Sequence, residues 1–281
     1  MKEIVEVVFN ASMFAFVAGS MITIGLGLTI AQIIEPFKNI RMVILSLISN
    51  FIIVPLFALW IVSTIPVSEG VRIGIILLSM TGGAPFIPML VAIAKSHIGG
   101  AVGLMLLLLI VTIFYIPLVI PVLFPDASVS SWEIAKSLIY SMLIPLSLAL
   151  FVKARYSGLA GRILPVFAKL TNLSILVLVI ALVYLYAPVI VASAPALPTV
   201  ILFFLGSMAI GYCSGGRNRH ARIILSIGTG LRNPPVAMLV ASQYFTTEPM
   251  AAIVPLLVVI IGLSILFPLT GIIGKRAARV S

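Results

Sequence analysis

The chemistry this chain can do is concentrated in the run GTGLRNPP at residues 228–235, where Arg232 stands among Gly228, Gly230, Pro234 and Pro235 inside an otherwise apolar stretch. A charge within an apolar span is costly enough to mark a functional site. Backbone freed by Gly and Pro must also find partners, because irregular backbone survives at membrane depth only when buried in protein or lining a wet cavity. A guanidinium offers a planar fork of donors that fits a carboxylate, sulfate or phosphate. Arg232 can equally turn inward and satisfy the carbonyls that Pro234 and Pro235 leave free, standing where another transporter would bind a cation. Both readings remain open at this point, and Thr229 and Asn233 are the polar neighbours that would share either task.

A second run, TGGAPFIP at residues 81–88, supplies Thr81, Gly82, Gly83, Pro85 and Pro88. Each run carries four helix breakers in eight residues, where 39 Gly and Pro among 281 residues would place about one. Asn50, in SNFIIVP, is the other deep polar residue, and an interhelical hydrogen bond explains it as well as substrate contact does. Thr112, Tyr115 and Gln243 read as packing or interface residues. No Asp or Glu falls inside an expected span except Glu133 at the very start of one, and His97 and His220 fall at span ends, so no proton relay of the Asp/Glu/His kind is supported. Arginine keeps its proton and cannot serve as one. The residues offer no metal cluster, no nucleophile with a base and no nucleotide loop, so neither an enzyme nor a cofactor is expected.

The elements that must position these residues are membrane spans. At 62% hydrophobic and 9% charged, with mean hydropathy +1.31, the chain lies far from soluble proteins, of which about a quarter is charged. Apolar runs give nine expected spans at about residues 8–31, 42–65, 71–94, 98–124, 132–152, 166–192, 197–214, 221–245 and 249–274. The first reads as a span and not as a cleaved signal, since no small-residue cleavage site follows it. The single cysteine, Cys213, excludes an intramolecular disulfide.

The formal charge of +10 arises from topology and not from a nucleic-acid partner. Alternate loops hold 13 of the 17 basic residues, Lys38, Lys95, Lys153, Arg217 and the tail's Arg279 among them. The opposite side holds six of the seven acids, including Glu6, Asp126, Glu133 and Glu248. The positive-inside rule then places the N-terminus outside and the C-terminus in the cytoplasm of a cell membrane. Arg232 belongs to neither side. Ten residues beyond Arg222, it lies about 15 Å deep, near the midplane.

The two broken runs lie in spans that enter from opposite sides, and each is followed by a similar string, PMLVA at 88–92 and AMLVA at 237–241. Paired Gly/Pro-interrupted spans in corresponding halves point to the midplane site of a transporter. The expected fold is therefore an all-α integral membrane protein of nine transmembrane helices. Spans 1–4 and 6–9 form an inverted repeat, and two discontinuous helices cross.

These residues resemble the bile acid:sodium symporter family and its bacterial relatives, within the wider group of arsenite and auxin-efflux-type carriers. GLGLTI (25–30) and NFIIVPLFAL (50–59) are similar to that family's early pair of spans. TGGAPFIP is similar to its first crossover, and GTGLRNPPVAMLVASQYF (228–245) to its second. The resemblance implies one membrane domain with a panel of spans 1, 5 and 6 and a core of spans 2–4 and 7–9, working by alternating access on small or amphipathic organic anions. It also implies departures. Gly228 and Arg232 stand where the family has a Glu and a Gln that bind sodium, and Pro85, Phe86 and Ile87 occupy a Ser-Asn position. Asn50 stands for a Gln, and Gly103 and Met105 replace hydroxyls.

The expected function is a secondary transporter of an organic anion with Arg232 as a tethered charge in place of sodium. An anion channel through the same crossover and a sodium-dependent symporter with other ligands are the alternatives. The bilayer and the anion are the expected partners, and nothing in the chain specifies an oligomeric state.

Overall fold

Proline and glycine divide the apolar sequence into helices, and the computed structural model describes residues 2–35, 39–125, 130–192 and 194–277. Lys38, Asp126 and Arg279, used above for topology, lie outside the described residues. In chain order the helices are α1 (Lys2–Gly27), α2 (Ile30–Ile34), α3 (Ile40–Ile48), α4 (Val54–Thr64), α5 (Glu69–Ser79), α6 (Ile87–Ile93) and α7 (Ile98–Leu123). They continue with α8 (Ser131–Leu138), α9 (Ile144–Arg155), α10 (Ser157–Ala192), α11 (Leu197–Ser214), α12 (Arg219–Gly230), α13 (Pro234–Tyr244) and α14 (Pro249–Ala277). There is no strand among the described residues.

Among the described residues, eight helical stretches are long and apolar enough to cross a membrane, including Ile40–Thr64, Ser131–Arg155 and Arg219–Tyr244, each a run of joined helices. The expected third span is instead two short helices, α5 and α6, on either side of a non-helical segment at residues 81–84. The chain is an all-α, multi-pass membrane protein.

Two spans change register on the way across. Five residues of π-helix, Ser49–Ile53, join α3 to α4, and five more, Ile139–Leu143, join α8 to α9. Each is followed within two residues by a proline, Pro55 or Pro145. A proline has no N–H for the ladder, and a π-turn is one way for a helix to continue past the lost bond.

Side-chain caps fix several helix starts. Asn39 accepts from the Met42 N–H at 3.1 Å, Asn218 from the Ala221 N–H at 3.1 Å, and Thr29 with Gln32 forms a reciprocal box on α2. Such caps satisfy N–H groups that have no partner inside the helix.

Packing sorts the helices by what they touch. α1 lies along α10 and α9, while α14 packs on α5 and α13, and α11 on α12. The Arg219–Tyr244 stretch is the most enclosed, with 89% of its most apolar window buried, against 22% for Ser157–Pro188. The α10 residues Leu173, Leu176, Ile180 and Val183 are exposed at helical spacing, as a lipid-facing stripe requires.

Close helix approach rests on small residues, as it does where the surroundings are as apolar as the side chains. A Cβ built on Gly211 of α11 would run into the Leu225 carbonyl of α12, whereas one on Gly27 at the end of α1 would meet nothing. Gly211→Ala is expected to force α11 from α12 and cost about 1–3 kcal/mol, the range for overpacking. Gly27→Ala is expected to be neutral, and the two melting temperatures in detergent check the contrast.

Candidate functional site

The two broken segments meet, and Arg232 is the joint. It follows the C-terminus of α12 by two residues and is fully buried. Its Nε–H donates to the Leu78 carbonyl at 3.3 Å, and its Nη2 donates to the main-chain carbonyl of Asn50 at 2.8 Å and to that of Ser79. Its Nη1 donates to Asn50 Oδ1. Four of the five guanidinium N–H groups are thus held by the protein's own oxygens.

Those oxygens are available for a local reason. The Val54 N–H reaches back to Ser49 in the π-turn, and Pro55, the next residue, has no N–H to give. The carbonyls of Asn50 and Phe51, five and four residues before Pro55, therefore lose their helical donors. Arg232 takes the first, and the Tyr115 hydroxyl donates to the second at 2.6 Å. Leu78 and Ser79 end α5, whose last carbonyls carry the negative end of the helix dipole; the Leu78 carbonyl also accepts from the Thr81 N–H at 3.0 Å, whereas Arg232 is the donor to that of Ser79.

Asn50 is locked by the same arrangement. Its Nδ2 donates to the Ser46 carbonyl at 2.9 Å and to Thr229 Oγ1 at 3.2 Å, which leaves Oδ1 for the guanidinium. Thr81 Oγ1 donates to the Leu78 carbonyl at 2.8 Å. Asn233 Nδ2 donates to the Gly83 carbonyl at 3.3 Å, and its Oδ1, though buried, has no partner among the described residues. Arg232, Asn50 and Thr229 thus form one network, and Thr81, Gly83 and Asn233 flank it.

The glycines and prolines serve geometry. Gly83 has φ +81, in the left-handed region, and a Cβ there would strike the backbone of α7 at Met105 and Leu109. The Gly82 N–H, freed by the break, donates to Thr112 Oγ1 at 2.8 Å. Gly230 admits Met208 of α11, while a Cβ on Gly228 would meet only Ile87 Cδ1 at 3.7 Å. Pro234 and Pro235 open α13 and are buried.

Pro85 and Pro88 do not join the Arg232 network. They line a separate cleft of about 340 Å³ between α1 and α10 on one side and the first broken segment with α7 on the other. Its polar wall is Ser20, Thr23, Gln32, Thr171 and Asn172, and its apolar wall includes Phe16, Ile24, Phe86, Val102 and Met105. Sequence reasoning missed this polar wall, because small hydroxyls on a span read as helix-packing residues. It also assigned Thr112 and Tyr115 to packing, although both take backbone groups freed at a break.

At the end rich in Lys and Arg, His97 Nδ1 accepts from the Gly100 N–H at 3.2 Å and its Nε2 faces Glu35 Oε1 at 3.1 Å. His220 Nδ1 lies 2.9 Å from Ser96 Oγ. Both histidines are tied to the protein and not only to solvent. Among the described residues no group of three or more His, Cys, Asp or Glu is placed to hold a metal.

Multiple apolar spans, two of them interrupted where they meet around a buried cation, define a polytopic membrane protein of the transporter class. A profile of the sodium bile acid symporter family matches residues 15–193. That segment is more than half of the chain, and the protein belongs to this family. The match takes in the π-turn of Asn50, the first break and the cleft residues of α1 and α10, and it ends before residues 228–235. A search of curated protein sequences finds no match to the chain.

Removing the guanidinium would orphan the buried carbonyls of Asn50 and Ser79, each costing about 1–3 kcal/mol, while that of Leu78 keeps its Thr81 donors. Arg232→Met is therefore expected to lower the melting temperature sharply. Arg232→Lys, with three donors and no planar fork, is expected to fall between Met and wild type. Thermal unfolding in detergent orders the three proteins.

Proposed function

We propose that this protein is a secondary transporter of an amphipathic organic solute, working by alternating access, with Arg232 as a built-in cation where relatives would bind sodium. The observation that carries this reading is the shell around Arg232. Four oxygens, three of them main-chain carbonyls from the end of α5 and from the π-turn between α3 and α4, converge on one positive charge. Carbonyl and amide oxygens are the ligands a hard cation takes. A bound ion can leave and so couple its gradient to the cycle, whereas a guanidinium on the chain cannot.

The cleft supports the location of the substrate. It lies between α1 and α10, which we assign to the panel with α9, and the first broken segment with α7, which we assign to the core. At the opposite, acid-bearing end these two groups are in contact. Ser242 Oγ of α13 approaches Met13 Sδ of α1 at 3.4 Å, and Ser137 Oγ of α8 donates to Gln243 Oε1 at 2.6 Å. The acid-bearing end is the more closed of the two, with these contacts beside a smaller cavity of about 260 Å³ that Glu6, Asn10, Tyr186 and Ser242 help to line, and a protein wider at one end than at the other fits one state of an alternating-access cycle. We place the closed end outside and the cleft toward the cytoplasm, from the segregation of acidic and basic residues between the two ends.

An anion clamp at Arg232 has little support, because the side chain is fully buried and most of its donors are used. Sodium-dependent symport is the second reading, and family membership favours it.

Proteoliposome uptake of a hydroxylated steroid, with and without an inward sodium gradient, separates the readings. Uptake is expected to be insensitive to sodium, and a strong sodium dependence would sink the tethered-cation reading. Arg232→Gln is expected to cut uptake at least about tenfold, equivalent to about 1.4 kcal/mol, and added sodium to restore part of it. Saturable counterflow by unlabelled substrate is expected of a carrier and is not given by a channel.

A further inference from the structure

We infer that the cleft between α1, α10 and the first broken segment selects solutes whose polar end is uncharged, an alcohol or an amide, over the corresponding carboxylates. The inference rests on the cleft being the substrate site, as proposed above.

Three observations carry it. No Lys, Arg or His is among the described residues that line the cleft, and no Asp or Glu is either. Lys169, beside the lining residue Ala168, is exposed on α10 and does not line it. Arg232 does not line it, and its donors are held by Leu78, Ser79 and Asn50. A carboxylate entering this space would leave water without meeting a cation, and an unpaired buried charge is far more costly than a hydrogen-bonded neutral group.

The polar wall is instead equipped for neutral partners. Ser20 is 5% exposed, lines the cleft, and its hydroxyl has no hydrogen-bond partner among the described residues. A hydroxyl with no protein partner that opens into a cleft keeps both its donor and its lone pairs for a ligand atom. Gln32 spends its Oε1 on the Thr29 N–H at 2.9 Å and the Thr29 hydroxyl at 3.0 Å, which leaves its Nε2 donors for the cleft. Thr171 gives its one hydroxyl hydrogen to the Phe167 carbonyl at 2.8 Å, so Thr23 is the donor in their 3.4 Å contact, and the pair offers a ligand acceptor lone pairs, which suit a group that donates. Asn172 adds an exposed amide with both. Hydroxyls and amides both donate and accept, which suits a ligand group that does the same. A carboxylate only accepts. Phe16, Ile24, Phe86, Val102 and Met105 supply the opposite, apolar wall for the body of the solute.

The test uses the full chain in nanodiscs and one hydroxylated steroid skeleton carried as a carboxylate, a primary amide and a primary alcohol. At pH 7.5 the amide and alcohol are expected to bind at least about tenfold more tightly than the carboxylate. Lowering the pH toward 4.5 is expected to tighten binding of the acid as it becomes neutral, with the amide unchanged.

Ser20→Ala removes a hydroxyl with no protein partner, so its melting temperature is expected to be unchanged or raised while amide affinity falls several-fold. Asn172→Lys, at an exposed cleft position, is expected to invert the preference toward the carboxylate. A wild type that binds the carboxylate as tightly as the amide, with Ser20→Ala weakening both, would overturn this inference and leave the cleft reading standing. Binding of none of the three would overturn both.

Discussion

One interaction governs the middle of this protein: a guanidinium closing a ring of carbonyl oxygens that the chain cannot satisfy along its own helices. In hydrocarbon there is no water to take an orphaned C=O, and each such group costs several kcal/mol. Pro55 and its π-turn release the oxygens of Asn50 and Phe51, and the end of α5 presents those of Ser79 and of Leu78, the latter shared with Thr81. Arg232 arrives from the second broken span and takes three of these four, and the Tyr115 hydroxyl takes the remaining one. The interrupted segments are therefore held to each other by the same bonds that make their interruption tolerable.

The sign of the charge follows from the groups that reach it. α5 and α12 both end at the crossing, and the C-terminal end of a helix carries partial negative charge. α6 and α13 begin at the same crossing with positive ends, so what favours a cation at Arg232 is that the oxygens of the α5 end and of the π-turn are the groups that reach it. A diffusible ion and a tethered guanidinium are two solutions to the same electrostatic demand. They differ in what they cost the protein. The tethered charge binds at high effective concentration and holds the core in one arrangement, and with it goes the free energy that an ion moving down its gradient could contribute to transport.

Much of this was legible in the sequence, and for identifiable reasons. Gly, Pro and Arg stand out in a chain that is 62% hydrophobic, so both breaks and the buried charge could be placed. The partners of Arg232 could not be read, because they are mostly main-chain oxygens and any residue type carries those. The sequence argument looked to Pro234 and Pro235 for the freed carbonyls, whereas the structure uses Pro55, through a register shift that no residue pattern announces. The cleft was invisible for another reason. Ser20 and Thr23 on α1, Gln32 on α2 and Thr171 and Asn172 on α10 are far apart in the chain and, one by one, resemble residues that let helices approach.

The two regions divide the work of a carrier between them. The positive charge is sealed inside the crossing, where it holds structure, and the cleft beside it is lined by hydroxyls, amides and apolar side chains. Had Arg232 faced the cleft, Asn50 and Ser79 would have lost the donor to their oxygens and the breaks their glue, so the charge could not easily serve both places. Spending the guanidinium on the backbone is what leaves the cleft electrically quiet. A site of that kind discriminates by hydrogen-bond pattern and shape, because an unmatched buried polar group is penalised whichever partner it belongs to.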